Sequence, residues 1–164
     1  MFRSLERAEN TARLIEAGFR IALSRSTHAE AEWQAESVTS AAQYAYEAKH
    51  NGYDSERVVN FLLRDIDNPS SVLSVIKSAR DNARLVRTAL TTEVWTSVNE
   101  TWMVLTKLLE VPVRQMELPT VLATIRQQSA VVRGALHGTM LRNDIYDFCR
   151  LGTFVERMDS TARI

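Results

Sequence analysis

Glycine, proline and cysteine are scarce in this chain: five, three and one among 164 residues. The lone cysteine, Cys149, excludes an internal disulfide framework. No apolar run approaches the ~20 residues needed to span a bilayer. The opening MFRSLERAEN carries charges but not the apolar stretch of a secretory signal. An excess of one charge is missing too, since twenty Lys and Arg balance twenty Asp and Glu. A neutral chain lacks the basic surplus on which nucleic-acid binding draws. There is no glycine-rich phosphate loop, no Gly-x-Ser-x-Gly, no Cys-x-x-Cys and no His-Glu-x-x-His. These absences point to a soluble, cytoplasmic protein without nucleic acid or membrane as partner, and no motif asks for a metal or a cofactor. What is present is 45% hydrophobic residues, ordinary for a globular domain. The length suits a single domain over residues 1–164.

With so few breakers, apolar residues recur at three- and four-residue steps over long stretches, and the chain reads as all-α. Leu5, Ala8, Ala12, Ile15, Phe19 and Ala22 form one stripe on a first helix over about 2–24, while Leu14 and Ile21 lie nearly opposite. A helix apolar on two sides is expected at the centre of the core. Residues 26–36 are polar and read as a loop. Ser37 then caps an Ala-rich second helix (Ala41, Ala42, Ala45, Ala48), fit for close packing and ending at Asn51-Gly52. Asp54 caps a short third helix to about residue 64. Asn68 and Pro69 open a fourth with Val72, Ile76, Ala79, Ala83, Val86 and Leu90 in register. Trp95, Val98, Trp102, Leu105 and Leu109 make the next stripe. After a linker with two prolines, Thr120 caps a helix that turns Leu122, Ile125, Ser129, Val132 and Leu136 inward. The last helix runs from Asp144 through Phe148, Leu151 and Val155. About seven helices with short turns make an up-and-down bundle.

Two segments resemble each other. Leu5-Glu6-Arg7-Ala8-Glu9-Asn10-Thr11-Ala12-Arg13-Leu14 and Val155-Glu156-Arg157-Met158-Asp159-Ser160-Thr161-Ala162-Arg163-Ile164 share five of ten positions, and three more differ like for like. The second copy stops at the chain end without a capping signal, which leads to the expectation of one half of a longer, internally duplicated protein. In that case apolar residues of the first helix lack a cover, and the fragment forms homo-oligomers. On a helix Glu6, Asn10 and Arg13 share a face, and Glu9 with Arg13 and Glu16 with Arg20 are favourable i, i+4 pairs. Arg7 and Arg157 can offer planar forks to Glu156 and Glu6 if the copies meet. A structural Glu–Arg network stands ahead of a ligand site, because buried networks are often structural. A second row, Arg80, Arg84 and Arg87 with Asn82 alongside, can hold a carboxylate or phosphate. It can equally neutralise acidic residues of the first helix.

Other residues carry less. Glu47-x-x-His50 matches one half of a di-iron unit, but no second Glu-x-x-His accompanies it. His28 reads as a solvated loop histidine. Cys149, beside the core residue Phe148, reads as a small buried hydrophobe. Gly134 and Gly138 read as a place where another helix comes close.

The first Glu-Arg segment resembles the signature that names the bacterial alpha-E family, an all-helical family of unknown biochemical function. The resemblance continues through Asp65-Ile66-Asp67-Asn68-Pro69-Ser70-Ser71-Val72 and Ala79-Arg80-Asp81-Asn82-Ala83-Arg84-Leu85-Val86-Arg87. It runs on through Glu93-Val94-Trp95, Asn99, Arg133-Gly134, Gly138-Thr139-Met140 and the second Glu-Arg copy. It implies a chain about twice this length. This sequence departs from the family pattern at Ile145-Tyr146, where Gly-Trp is usual, and at Thr153, where an Arg is usual. It also lacks the aromatic-rich segment that usually comes before the first copy. The resemblance further implies a setting beside ATP-grasp ligases and transglutaminase-like peptidases. From it we expect a non-catalytic partner or carrier of an ATP-grasp peptide/amide ligase. The rival expectation is an enzyme or carboxylate-binding protein with its site between the two Glu-Arg copies.

Overall fold

A computed structural model describes residues 1–24 and 29–163. Among these residues helix is the sole regular secondary structure, joined by turns and short loops. α1 (Phe2–Ser24) is the hub, packed against α2 (Ala29–Thr39), α4 (Ser55–Arg64), α5 (Val72–Leu85), α7 (Leu118–Thr139) and α8 (Asp144–Ala162). α3 (Gln43–Glu47) is a short turn of helix after α2, and α6 (Thr92–Leu108) lies between α5 and α7. Its sandwiched position explains why α1 is apolar on more than one side. Leu5, Ala8, Ala12 and Ile15 are fully buried, Leu14 partly so, and Ile21 is exposed.

Cross-helix hydrogen bonds give the directions. Thr91 meets Thr139 and Thr101 meets Gln128, so α7 is antiparallel to α6, and Arg80 ties α5 to α6 at Asn99. Arg133 meets Glu9 and Arg126 meets Glu16, so α7 is antiparallel to α1. α8 returns parallel to α1. The up-and-down arrangement therefore holds, with eight α-helices among the described residues.

Several boundaries differ from the sequence expectation for local reasons. Part of the supposed loop over 26–36 is helical from Ala29, while residues 25–28, His28 included, lie outside the described residues. Alanine and glutamate are strong helix formers, and Trp33 and Ser37, one turn apart, bury the same face. Ser37 is thus inside α2, its hydroxyl donating to the Trp33 carbonyl. The Ala-rich second helix is interrupted instead by Ala41 at φ 56°, and only Ala42 of its four alanines is buried.

Asp54 caps α4 as expected, accepting from the Arg57 N–H. Asn68 does not cap α5. Buried, it donates to the Phe61 carbonyl and accepts from the Ser70 N–H, and Ser71 takes the cap position. Thr91 caps α6, but Thr120 is already inside α7, which begins at Leu118 with Pro119 in its first turn.

The core faces of α5, α6 and α7 lie largely where periodicity puts them. Val72, Ile76, Ala79 and Ala83 are buried, as are all five inward residues of α7. Val86 is exposed, because α5 ends at Leu85. The largest correction concerns α8. Phe148 is 73% and Leu151 53% exposed, whereas the buried residues of α8 are Tyr146 and Glu156. Gly134 and Gly138 are also corrected: a side chain at either would meet open space. The close approach occurs at Gly152, whose position faces Phe2 and Arg3 of α1.

Candidate functional site

The two Glu-Arg segments lie side by side on the parallel pair α1 and α8. Arg7 grips Glu156 side-on, with Nε on one carboxylate oxygen and Nη2 on the other at 3.0 Å. Reciprocally, Arg157 Nε reaches Glu6 Oε1 at 2.8 Å. Between these pairs and the C-terminal ends, Asn10 donates to Ser160 at 2.8 Å. The separations are 149, 151 and 150 residues, so matching positions of the two segments face each other in register. Further along, Glu9 holds Arg13 and Asp159 holds Arg163, the same i, i+4 pair on each helix.

Helix spacing alone puts these groups on the contact faces, because positions three, four and seven apart share one side. Burial then forces them to pair. Glu6, Glu9 and Glu156 are 4%, 4% and 1% exposed, and a carboxylate so desolvated persists as an ion only when matched. Arg3 adds a second cation to Glu156 at 3.2 Å. Arg133 of α7 lies against Glu9 and 3.5 Å from Glu6. Burial works to raise the Glu9 carboxyl pKa. Hydrogen bonds and charge from Arg133 and Arg13 outweigh it and leave Glu9 below the ordinary carboxylate range. The hydrogen bond to Glu6 holds Arg157 above the usual guanidinium value.

The expected site residues therefore divide. Glu6, Arg7, Asn10, Arg13, Glu156 and Arg157 come together. Arg80, Asn82, Arg84 and Arg87 do not join them. Arg80 donates to Asn99 at 2.8 Å, Arg87 stacks over Trp95 at 5.3 Å, and Asn82 and Arg84 are exposed. None of the three arginines forms an ion pair with α1 among the described residues.

Sequence reading underrated Arg3, Arg133 and Ser160 as members of the cluster. A signal for Arg133 was present: Glu9 and Glu16 on α1 are seven residues apart, as are Arg126 and Arg133 on α7, matching spacing for an antiparallel pair. Glu16 does accept from Arg126 at 2.8 Å.

The Glu-Arg dipeptide by itself decides nothing. Glu56-Arg57 is a third example, and it sits exposed on the first turn of α4. What distinguishes Glu6-Arg7 and Glu156-Arg157 is their reciprocal pairing. The Alpha-E family model, described as a predicted alpha-helical domain with a conserved ER motif, matches residues 1–164. The chain belongs to the Alpha-E family. No curated protein and no solved structure matches it.

The other candidates have local roles in this Alpha-E domain. Glu47 accepts from Tyr53 at 2.7 Å and from Gln43. His50 packs on Tyr46 and Phe61. Burial, aided by the Glu47 hydrogen bond, pushes the Tyr53 hydroxyl up to about 12. No group of three or more His, Cys, Asp or Glu fit to hold a metal occurs among the described residues. Nor is any of their helices long and apolar enough to cross a membrane. Cys149 is half-buried and burial raises its thiol pKa, the opposite of what an activated nucleophile needs.

Proposed function

We propose that this chain is a non-catalytic partner or carrier module of an ATP-grasp peptide/amide-ligase system, with a transglutaminase-like peptidase in the same pathway. The observation that carries the reading is the outer face of α8. Ile145, Phe148, Leu151, Phe154 and Met158 are all at least 40% exposed on one helix. An apolar surface of this kind marks a place where a protein partner docks. The state of the two Glu-Arg pairs supports the non-catalytic part. Their carboxylates are buried beneath guanidinium groups, whereas a general acid or base must reach a substrate proton. The choice of an ATP-grasp ligase as partner comes from the family resemblance.

The test is capture of the protein from its own cells, read by mass spectrometry, beside a Phe148→Ser/Leu151→Ser variant. An ATP-grasp ligase held by the wild type and lost from the variant is the expected result. Capture of no such ligase, or its retention by the variant, overturns the reading.

A further inference from the structure

The ion-pair cluster is not electrically balanced. Around Glu6, Glu9, Glu156 and Asp159 stand six guanidinium groups, those of Arg3, Arg7, Arg13, Arg133, Arg157 and Arg163. The whole chain is neutral, so this surplus is local. Part of it opens into a cavity of about 250 Å³ between α7 and α8. Arg133, Arg150 and Arg157 line it together with His137 and Thr153, and no carboxylate does among the described residues. Arg133 is held by Glu9 and, at 3.5 Å, Glu6, and Arg157 by Glu6, each through one nitrogen of its guanidinium, and a guanidinium has further N–H groups to offer another acceptor. Arg150 forms no ion pair among the described residues. It lies over the Phe154 ring at 5.3 Å and the Tyr146 ring at 5.9 Å. His137 is oriented by a 2.7 Å hydrogen bond between Nδ1 and the Tyr146 hydroxyl, which also accepts from Arg142. Leu136 and Phe154 supply apolar wall beside these donors.

We propose that this cavity binds the carboxylate of a small organic molecule or chain end that carries a short apolar stem. Planar guanidiniums take a carboxylate bidentately. Two of the three arginines are already held in place, so little side-chain entropy is lost on binding. The cavity is too small for a nucleotide-sized ligand by comparison with ordinary ligand pockets. The apolar wall favours an organic acid over a bare inorganic anion. The cavity shares Phe154 with the exposed face of α8, but its test uses Arg150 and small probes, so it stands or falls separately from the partner reading.

Isothermal titration with three probes tests it: N-acetyl-leucine, its uncharged amide, and inorganic phosphate. The acid is expected to bind at least about tenfold more tightly than either of the others, the worth of one charge-assisted hydrogen bond. Arg150→Gln, which breaks no ion pair, is expected to weaken the acid about tenfold with an unchanged melting temperature. Lys77→Gln, on α5 at an exposed pair with Asp81 and outside the cavity lining, is the control and leaves binding as it was. Equal binding of acid and amide, phosphate binding as tightly as the acid, or an Arg150→Gln variant that binds like wild type overturns the proposal.

Discussion

α4 and α8 are both amphipathic, yet they face the core in opposite senses. α4 buries Val58, Val59, Phe61, Leu62 and Leu63 and leaves Glu56 and Arg57 in water. α8 buries Tyr146 near its start and Glu156 against α1, and leaves Phe148, Leu151 and Met158 in water. The first arrangement is held by removal of apolar surface from water, which needs no particular geometry. The second adds ion pairs to a smaller apolar contact at Tyr146 and Cys149, and the desolvation cost of those pairs is recovered only with correct placement. The α1–α8 seam therefore contributes register and parallel orientation more than it contributes stability.

That contrast can be broken at three points. The largest effect is expected in the apolar region: Leu62→Ala leaves a cavity under α4 and costs about 4 kcal/mol, read from the urea midpoint. In the seam, Arg7→Ala strands Glu156 with Arg3 alone and costs about 3 kcal/mol. A double-mutant cycle with Glu156→Gln then gives a coupling of about 2 kcal/mol. A coupling near zero would mean that the pair is solvated in practice and that α8 is positioned by its apolar neighbours.

The smallest effect is that of acid. Because the folded pKa of Glu9 lies below its ordinary value, the folded state binds this proton less readily than the unfolded chain. Its contribution is complete above the ordinary carboxylate range and is lost as pH falls through the depressed folded value. Urea midpoints at about pH 7 and about pH 3 should differ less in a Glu9→Gln variant than in the wild type. An equal loss in both would place the acid sensitivity elsewhere.

Much of this was legible in the residues. The cap at Asp54, the core stripe of α7 and the central place of α1 follow from hydrogen-bonding capacity and helical period, both local properties. The reciprocal match of Arg7 with Glu156 and Arg157 with Glu6 was also foreshadowed, since two like segments on parallel helices can satisfy each other. Phe148 shows where that reasoning stops. Periodicity reports that a helix has an apolar side, and the default is to bury it. Whether the apolar or the charged side of α8 met α1 depended on what α1 offered, and α1 offered Glu6, Arg7 and Asn10.

The sequence by itself determined the all-helical class, most of the helices in their order and the two complementary Glu-Arg faces, because local propensity and spacing suffice for those, though not for α2 and α3. Only the tertiary structure decided that Glu156 is buried and Phe148 is not, that Arg133 joins the cluster while Arg80 turns to Asn99, and that Arg150 opens onto a cavity without a carboxylate. Each of these is a choice among partners far apart in the chain, and pairing at such distances is set by how the helices pack rather than by any one of them.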